Sequence, residues 1–269
     1  MRISTAQLPK PPHGADRIVL TGNAVVVLDG ASAIQPVSVP PDVYADHLGA
    51  SIAAALTARP EAALASILVE AIGTAASSLG LTGDDCPSST VAMARSADGL
   101  VDLLVLGDSF IFYDTGSGAA VLTDDRLAEL CLPEQRQYRE RLQSGGGYDD
   151  THWATLRRLQ REQRKRRNRR AGYWIAEKDP AAAGHARTLT LPVSATAWVV
   201  LATDGAVDTA QHLGLADWPA IAHYDQAALT RLLQRCHDWE EHTDPGGQRF
   251  PRAKRHDDKT IASVRIARP

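Results

Sequence analysis

Several apolar runs in this chain end on acidic residues. GNAVVVLDGAS runs through valines into Asp29-Gly30, LVDLLVLGDSF runs through leucines into Gly107-Asp108-Ser109, and WVVLATDGAVD ends on Asp204-Gly205. Asp257-Asp258 stands just before the alternating run TIASVRI. Short β-branched or leucine-rich runs bounded by glycine predict buried strands. One strand ending in Asp-Gly is ordinary turn chemistry, since both residues favour turns. A set of such ends is different. Carboxylates gathered at strand tips repel one another unless a cation or protons offset the charge, so the set predicts a metal site.

The elements that must position these carboxylates fall in blocks. Arg17 to Leu28 holds two apolar runs around Gly22-Asn23, a hairpin signal. Helices are expected over Asp42 to Ala58 and Glu61 to Leu79, separated by Arg59-Pro60. A strand meander follows over Ser88–Ala94, Leu100–Leu106, Phe110–Tyr113 and Ala119–Thr123, and connections this short imply antiparallel pairing. Charged helical sequence runs from Asp125 to Leu142 and, after Ser144-Gly145-Gly146-Gly147, from Asp150 to Arg167. Short strands are expected at Tyr173–Ala176, Thr188–Leu191 and Trp198–Ala202, helices within Trp218 to Trp239, and a last strand at Thr260–Ile266. Blocks of strands and blocks of helices predict an α+β domain of mostly antiparallel sheet covered by helices.

Composition narrows the function classes. The 269 residues suit one large domain, and 44% hydrophobic with 23% charged residues argues against global disorder. A net charge of -3 speaks against a polyanionic partner for the molecule as a whole. Cys86, Cys131 and Cys236 are widely spaced and lack any CxxC pairing, which points to a reducing cytoplasm and away from a disulfide framework. The N-terminal stretch MRISTAQLPKPPHGADR reads as neither signal peptide nor anchor, and no run is apolar enough to span a bilayer.

Taken in order, Gly14-Ala15-Asp16, VVVLDG, PSSTVAMA, LVLGDSFIFY, VLTDDRL, VVLATDGAVD and DDKTIASV resemble the type-2C metal-dependent serine/threonine protein phosphatases, the PPM family, over nearly the whole chain. The resemblance implies a four-layer sandwich of two mostly antiparallel β-sheets flanked by helix pairs, as a single domain over 1–269 with a variable, arginine-rich flap insertion at about 144–172. It implies two Mn²⁺ or Mg²⁺ ions and a possible third. Asp29 and the Gly30 carbonyl would be ligands, with Asp204 and Asp257 completing the other ion's shell, Asp16 acting through water and Asp108 serving the third ion. Metal-activated water would then hydrolyse phosphoserine or phosphothreonine of a phosphorylated protein directly, so Ser32, Ser89 and Ser109 are expected to be structural.

The chain departs from that pattern in three places. The family's phosphate-gripping arginine has only Lys10 near its position, the glutamate of its Asn-Glu-Asp motif is absent, and Ala31 stands where many members carry histidine. Arg169 or Arg170, in the tract RRLQREQRKRRNRRAGYW, is a candidate replacement for the arginine, and His13 or His47 for the proton donor. Two other readings stay open: a catalytically silent phosphatase-like module that binds a phosphoprotein, and nucleic-acid binding through the arginine tract, against which the net charge counts. The tryptophans are expected in packing roles, and His237, Asp238, Glu240, Glu241 and His242 on an exposed helix.

Overall fold

The computed structural model describes residues 1–10 and 13–266. Strands β1 (Arg2–Leu8), β2 (Arg17–Leu20) and β3 (Ala24–Gly30) precede helices α1 (Pro41–Ala58) and α2 (Leu64–Ser78). Then come β4 (Ser89–Ala97), β5 (Leu100–Leu106), β6 (Phe110–Asp114) and β7 (Ala119–Leu122). Helices α3 (Arg126–Glu129), α4 (Pro133–Gln143) and α5 (Asp150–Arg164) follow, with a 3₁₀ turn at Pro180–His185 before β8 (Arg187–Pro192) and β9 (Trp198–Ala202). The chain finishes with α6 (Asp204–His212), α7 (Trp218–Ile221), α8 (Gln226–His242) and β10 (Lys259–Arg265).

The strands form two five-stranded sheets, β1-β10-β9-β6-β7 and β2-β3-β4-β5-β8. Every pairing in both is antiparallel. Side-chain alternation explains why the strands read as unbroken apolar runs. In β3, Val25 and Val27 pack between the sheets against Val199, Leu201, Ala262 and Val264, whereas Val26 and Leu28 pack outward under Leu48, Ile52, Ile67 and Ile72 of α1 and α2. A strand covered on both faces needs apolar residues at every position. On the far side, Val200, Ala202 and Ile261 pack under Val207, Leu229 and Leu233 of α6 and α8. The molecule is therefore a four-layer α+β sandwich of two antiparallel sheets, helices outermost.

Local chemistry sets the helix ends. Asp149 and Asp225 cap α5 and α8 by accepting the amides of His152 and Ala228 at 3.0 and 2.8 Å. Pro41 opens α1 with Asp42 in its first turn, a favourable charge for the helix dipole. Helices α4 and α5 share a small core of Leu132, Tyr138, Leu142, Leu156 and Leu159.

Several expectations are corrected. The helix expected over Asp125 to Leu142 breaks at Cys131, which takes φ 46 before Pro133 restarts it. The one expected over Asp150 to Arg167 stops at Arg164, and Asn168 at φ 51 turns the chain back so that Arg167 bridges Tyr173. No strand forms at Tyr173–Ala176, where isolated bridges from Arg167 to Tyr173 and from Ser89 to Ala176 stand instead. Strand β1 and helix α6 were not anticipated by the sequence pattern. No helix among the described residues is long and apolar enough to cross a membrane.

Candidate metal centre

Antiparallel pairing decides where the acidic residues meet. Asp29 and Gly30 close β3, and Asp16 immediately precedes β2, the strand that pairs antiparallel with it. Asp204 follows the end of β9, and Asp257 precedes β10, whose start lies beside that end through the Thr203 amide on the Thr260 carbonyl at 3.1 Å. Asp108 lies in the β5–β6 turn, which carries the chain from one sheet to the other. All of these ends open on one rim of the sandwich.

The carboxylates feel one another there. Burial pushes the Asp29 carboxyl well above the usual range, and the charges of Asp16, Asp204, Asp257 and Asp108 push it further. Asp204 rises well above the range as well, through burial and then Asp257, Asp108 and Asp208, with Lys254 opposing. Asp16 is pushed up to about 7 by burial and by Asp258 and Asp257, although the nearby hydroxyls of Thr260 and Thr203 hold it back. Asp108 reaches about 6, chiefly through burial, then Asp208, Asp124 and Asp257. Each protonates more readily than a solvated carboxyl, the signature of charge gathered without its counter-charge.

Asp16 is buried at 4% exposure behind the other carboxylates, which stay half-buried. Its Oδ2 accepts the Thr203 hydroxyl at 3.0 Å. That hydroxyl also accepts the Thr260 amide at 3.0 Å, so Thr203, at the N-cap of α6, serves the rim and leaves the helix uncapped. The Asp16 Oδ1 is buried with no partner. A buried, unpaired carboxylate oxygen is costly, and ordered water or a cation is the usual remedy. Asp258 ties the segments together, its Oδ2 accepting the Ala15 amide at 2.5 Å.

The residues fit a hard divalent cation. The charged donors are carboxylate oxygens, with no Cys or His among the groups that shift one another, and such a set suits Mg²⁺ or Mn²⁺ better than Zn²⁺. The backbone around them is tightly packed. A Cβ on Gly30 would lie 2.7 Å from the Ala15 Cβ, and one on Gly205 would lie 2.1 Å from the Asp258 carbonyl oxygen. Gly205→Ala is therefore expected to cost about 2 kcal/mol of stability by forcing the Asp257–Asp258 turn away from α6, a loss that chemical denaturation would measure.

Two side chains that sequence reasoning passed over, Asp208 and Lys254, lie at the rim, together with Ser32, which it expected to be structural. Asp208, one turn after Asp204 on α6, adds its charge to Asp204 and Asp108, and the i, i+4 spacing in DGAVD was the available signal. Lys254 pairs with Asp257 and donates to the Ser32 hydroxyl. Neither Lys254 nor Ser32 had a signal, because their meeting depends on how the 243–258 loop folds back. Of the residues considered for gripping phosphate, Lys10, Arg169 and Arg170 are exposed, and among the described residues none has an ion-pair partner. Arg167 of the tract is half-buried and committed to Glu177 at 2.9 Å. His47 bonds the Ser78 hydroxyl at 3.1 Å between α1 and α2, and His13 is exposed.

A second group of ligand-type side chains lies behind Asp257. His237, Glu240 and His256 bring one ligand atom each within 4.8 Å of one another, a closure that the trio Asp29, Asp204 and Asp257 does not reach. Contrary to the expectation of an exposed helix face, Glu240 is 1% exposed. Its Oε1 accepts from Thr209 at 2.6 Å, and its Oε2 accepts from the buried Lys259 at 2.8 Å and faces the His256 Nδ1 at 3.1 Å. Lys259 also donates to the Asp257 carbonyl at 3.0 Å. The group has cation-binding chemistry, and Lys259 already supplies positive charge to it. Lys259→Met leaves Glu240 buried without that charge, so a loss of about 3 kcal/mol is expected in a denaturant titration.

Comparison with known proteins agrees with the architecture. No protein-family model and no curated protein sequence matches the chain. Solved structures do match along its length. The PPM Ser-Thr phosphatase MsPP of Mycobacterium smegmatis is 15% identical, with 99% of each chain covered and a TM-score of 0.55. PppA, a regulatory component of the type VI secretion system in Pseudomonas aeruginosa, is 18% identical, with 99% of this chain and 97% of that one covered and a TM-score of 0.58. The catalytic domain of the serine/threonine phosphatase PstP, solved with two manganese ions, is 13% identical, with 97% and 96% covered and a TM-score of 0.53. At these identities the likeness is one of fold, and the chain is built on the fold of the PPM serine/threonine phosphatases.

Proposed function

We propose that this chain is a Mn²⁺- or Mg²⁺-dependent phosphatase of the PPM type that hydrolyses phosphoserine or phosphothreonine in proteins. The observation that carries the reading is the convergence of Asp16, Asp29, Asp108, Asp204 and Asp257 on one rim, where burial and neighbouring negative charge destabilise the free carboxylates of Asp16, Asp29, Asp108 and Asp204. Asp29, the Gly30 carbonyl, Asp204 and Asp257 are the residues that would hold two ions, Asp16 would hold water behind them, and Asp108 would serve a third. Divalent cations there supply an acidified water at neutral pH and offset charge on the phosphoryl oxygens. Asp16 and Thr203 fix the rim from behind, and the Ala15–Asp258 contact keeps its two strand ends in register.

A second reading keeps the fold and the phosphoprotein but removes turnover. It is favoured by Ala31, by the missing motif glutamate and by the Lys254 contact on Asp257. Phosphate release from phosphoserine and phosphothreonine peptides separates the two. Release that requires Mn²⁺ and stops on chelation supports the phosphatase, whereas peptide binding without release supports the silent module.

A further inference from the structure

Lys254 brings a positive charge into contact with the acidic centre. It lies in the loop between α8 and β10, three residues before Asp257. Its Nζ pairs with the Asp257 Oδ1 and donates to the Ser32 hydroxyl, two residues beyond Gly30. The side chain still keeps 25% of its surface exposed, so a solute reaches it.

We propose that the Lys254 ammonium and the Ser32 hydroxyl form the anion-anchoring pair of the rim, gripping the non-bridging oxygens of a phosphate monoester. This deepens the phosphatase reading and rests on it for the identity of the ligand. An ammonium has three N–H donors, and the contacts with Asp257 and Ser32 use two of them. Ser32 accepts from Lys254, which leaves its own O–H free to donate. Ser32 is itself fixed, because its carbonyl accepts from Gln160 of α5, whose Oε1 accepts the Gln35 amide at 2.8 Å. A phosphate dianion held at the rim needs fixed donors for the oxygens that face away from the ions. Lys254 supplies one in direct contact with the cluster, whereas Lys10, Arg169 and Arg170 stand exposed.

The test is binding of inorganic phosphate to the Mn²⁺-loaded full chain by titration calorimetry, with Mn²⁺ affinity measured in parallel. Lys254→Met is expected to weaken phosphate binding by about tenfold or more, Ser32→Ala by about threefold, and Lys254→Arg to recover most of the loss. Mn²⁺ affinity is expected to stay level or rise, because Lys254 and the ion share Asp257. Where peptides turn over, the Lys254→Met loss falls on KM more than on kcat.

Phosphate affinity unchanged within about twofold in Lys254→Met overturns the proposal, as does the absence of phosphate binding by the wild type. A matching loss of Mn²⁺ affinity in both Lys254→Met and Lys254→Gln also overturns it, by making the lysine a structural prop for Asp257. Lysine-dependent phosphate binding without peptide turnover sinks the phosphatase reading alone. Turnover with phosphate binding indifferent to Lys254 sinks this one alone.

Discussion

Asp29→Asn and Asp204→Asn are each expected to lower Mn²⁺-dependent phosphate release by about a thousandfold, the equivalent of roughly 4 kcal/mol of transition-state stabilisation. The same substitutions are expected to raise the melting temperature of the metal-free protein. Both effects have one origin. Asp29 and Asp204 sit among other carboxylates in a poorly solvated rim, and each carboxyl is raised well above its usual range by burial and by like charge. Asparagine keeps the shape and removes the charge, so the metal-free fold is relieved while the cation loses its ligand. Activity and stability should move in opposite directions, as a residue that merely supports packing would not make them do. Thermal scans in chelator beside turnover assays in Mn²⁺ check both. A loss of activity with a matching loss of stability would show that these aspartates hold the fold, not an ion.

The second large effect is a dependence of metal-free stability on pH. Asp16 and Asp108 have folded values of about 7 and about 6 against an ordinary 3.8. A group raised on folding contributes stability that is fully present below its unfolded value and is lost as pH rises through its folded value. For Asp16 alone, a shift of about three units corresponds to roughly 4 kcal/mol, lost between about pH 4 and pH 7. His152 and His237 act in the opposite sense, since burial favours their neutral rings. Asp16→Asn isolates the carboxylate contribution. In chelator, the wild-type melting temperature is expected to fall relative to that of Asp16→Asn between pH 5 and pH 7.5. Added Mn²⁺ should stabilise the wild type more at pH 7.5 than at pH 5, because the ion binds deprotonated carboxylates. Parallel curves for the two proteins in chelator would mean that Asp16 is not held against its neighbours.

The strands were the most legible part of the sequence. β3 and β9 are covered on both faces, so their apolar runs continue without polar interruption to the strand ends, and β5 is broken only at Asp102, which pairs with Arg95 of β4. Edge strand β1 was not legible, because six of its seven residues keep accessible surface and Ala6 alone is buried, leaving no clear alternation. Helix α6 was hidden by its first residues, Asp204-Gly205, which read as a turn but start a helix pressed against Asp258. The acidic residues were visible as strand tips, and antiparallel pairing explains how strand ends distant in sequence share one rim. The partners that decide their charge were not visible. Lys254 and Ser32 meet across 222 positions, and Thr203 reaches Asp16 across 187, contacts that only the folded loops create. Glu240 read as surface on a polar helix until Lys259, equally buried, arrived from the last strand to pair with it.

Anomalous scattering from crystals grown with Mn²⁺ tests the central claim most directly. The account predicts peaks at the rim, with Asp29 and the Gly30 carbonyl on one ion and Asp29, Asp204 and Asp257 on its neighbour. Manganese seated only between His237, Glu240 and His256, with the rim carboxylates carrying none, would contradict it.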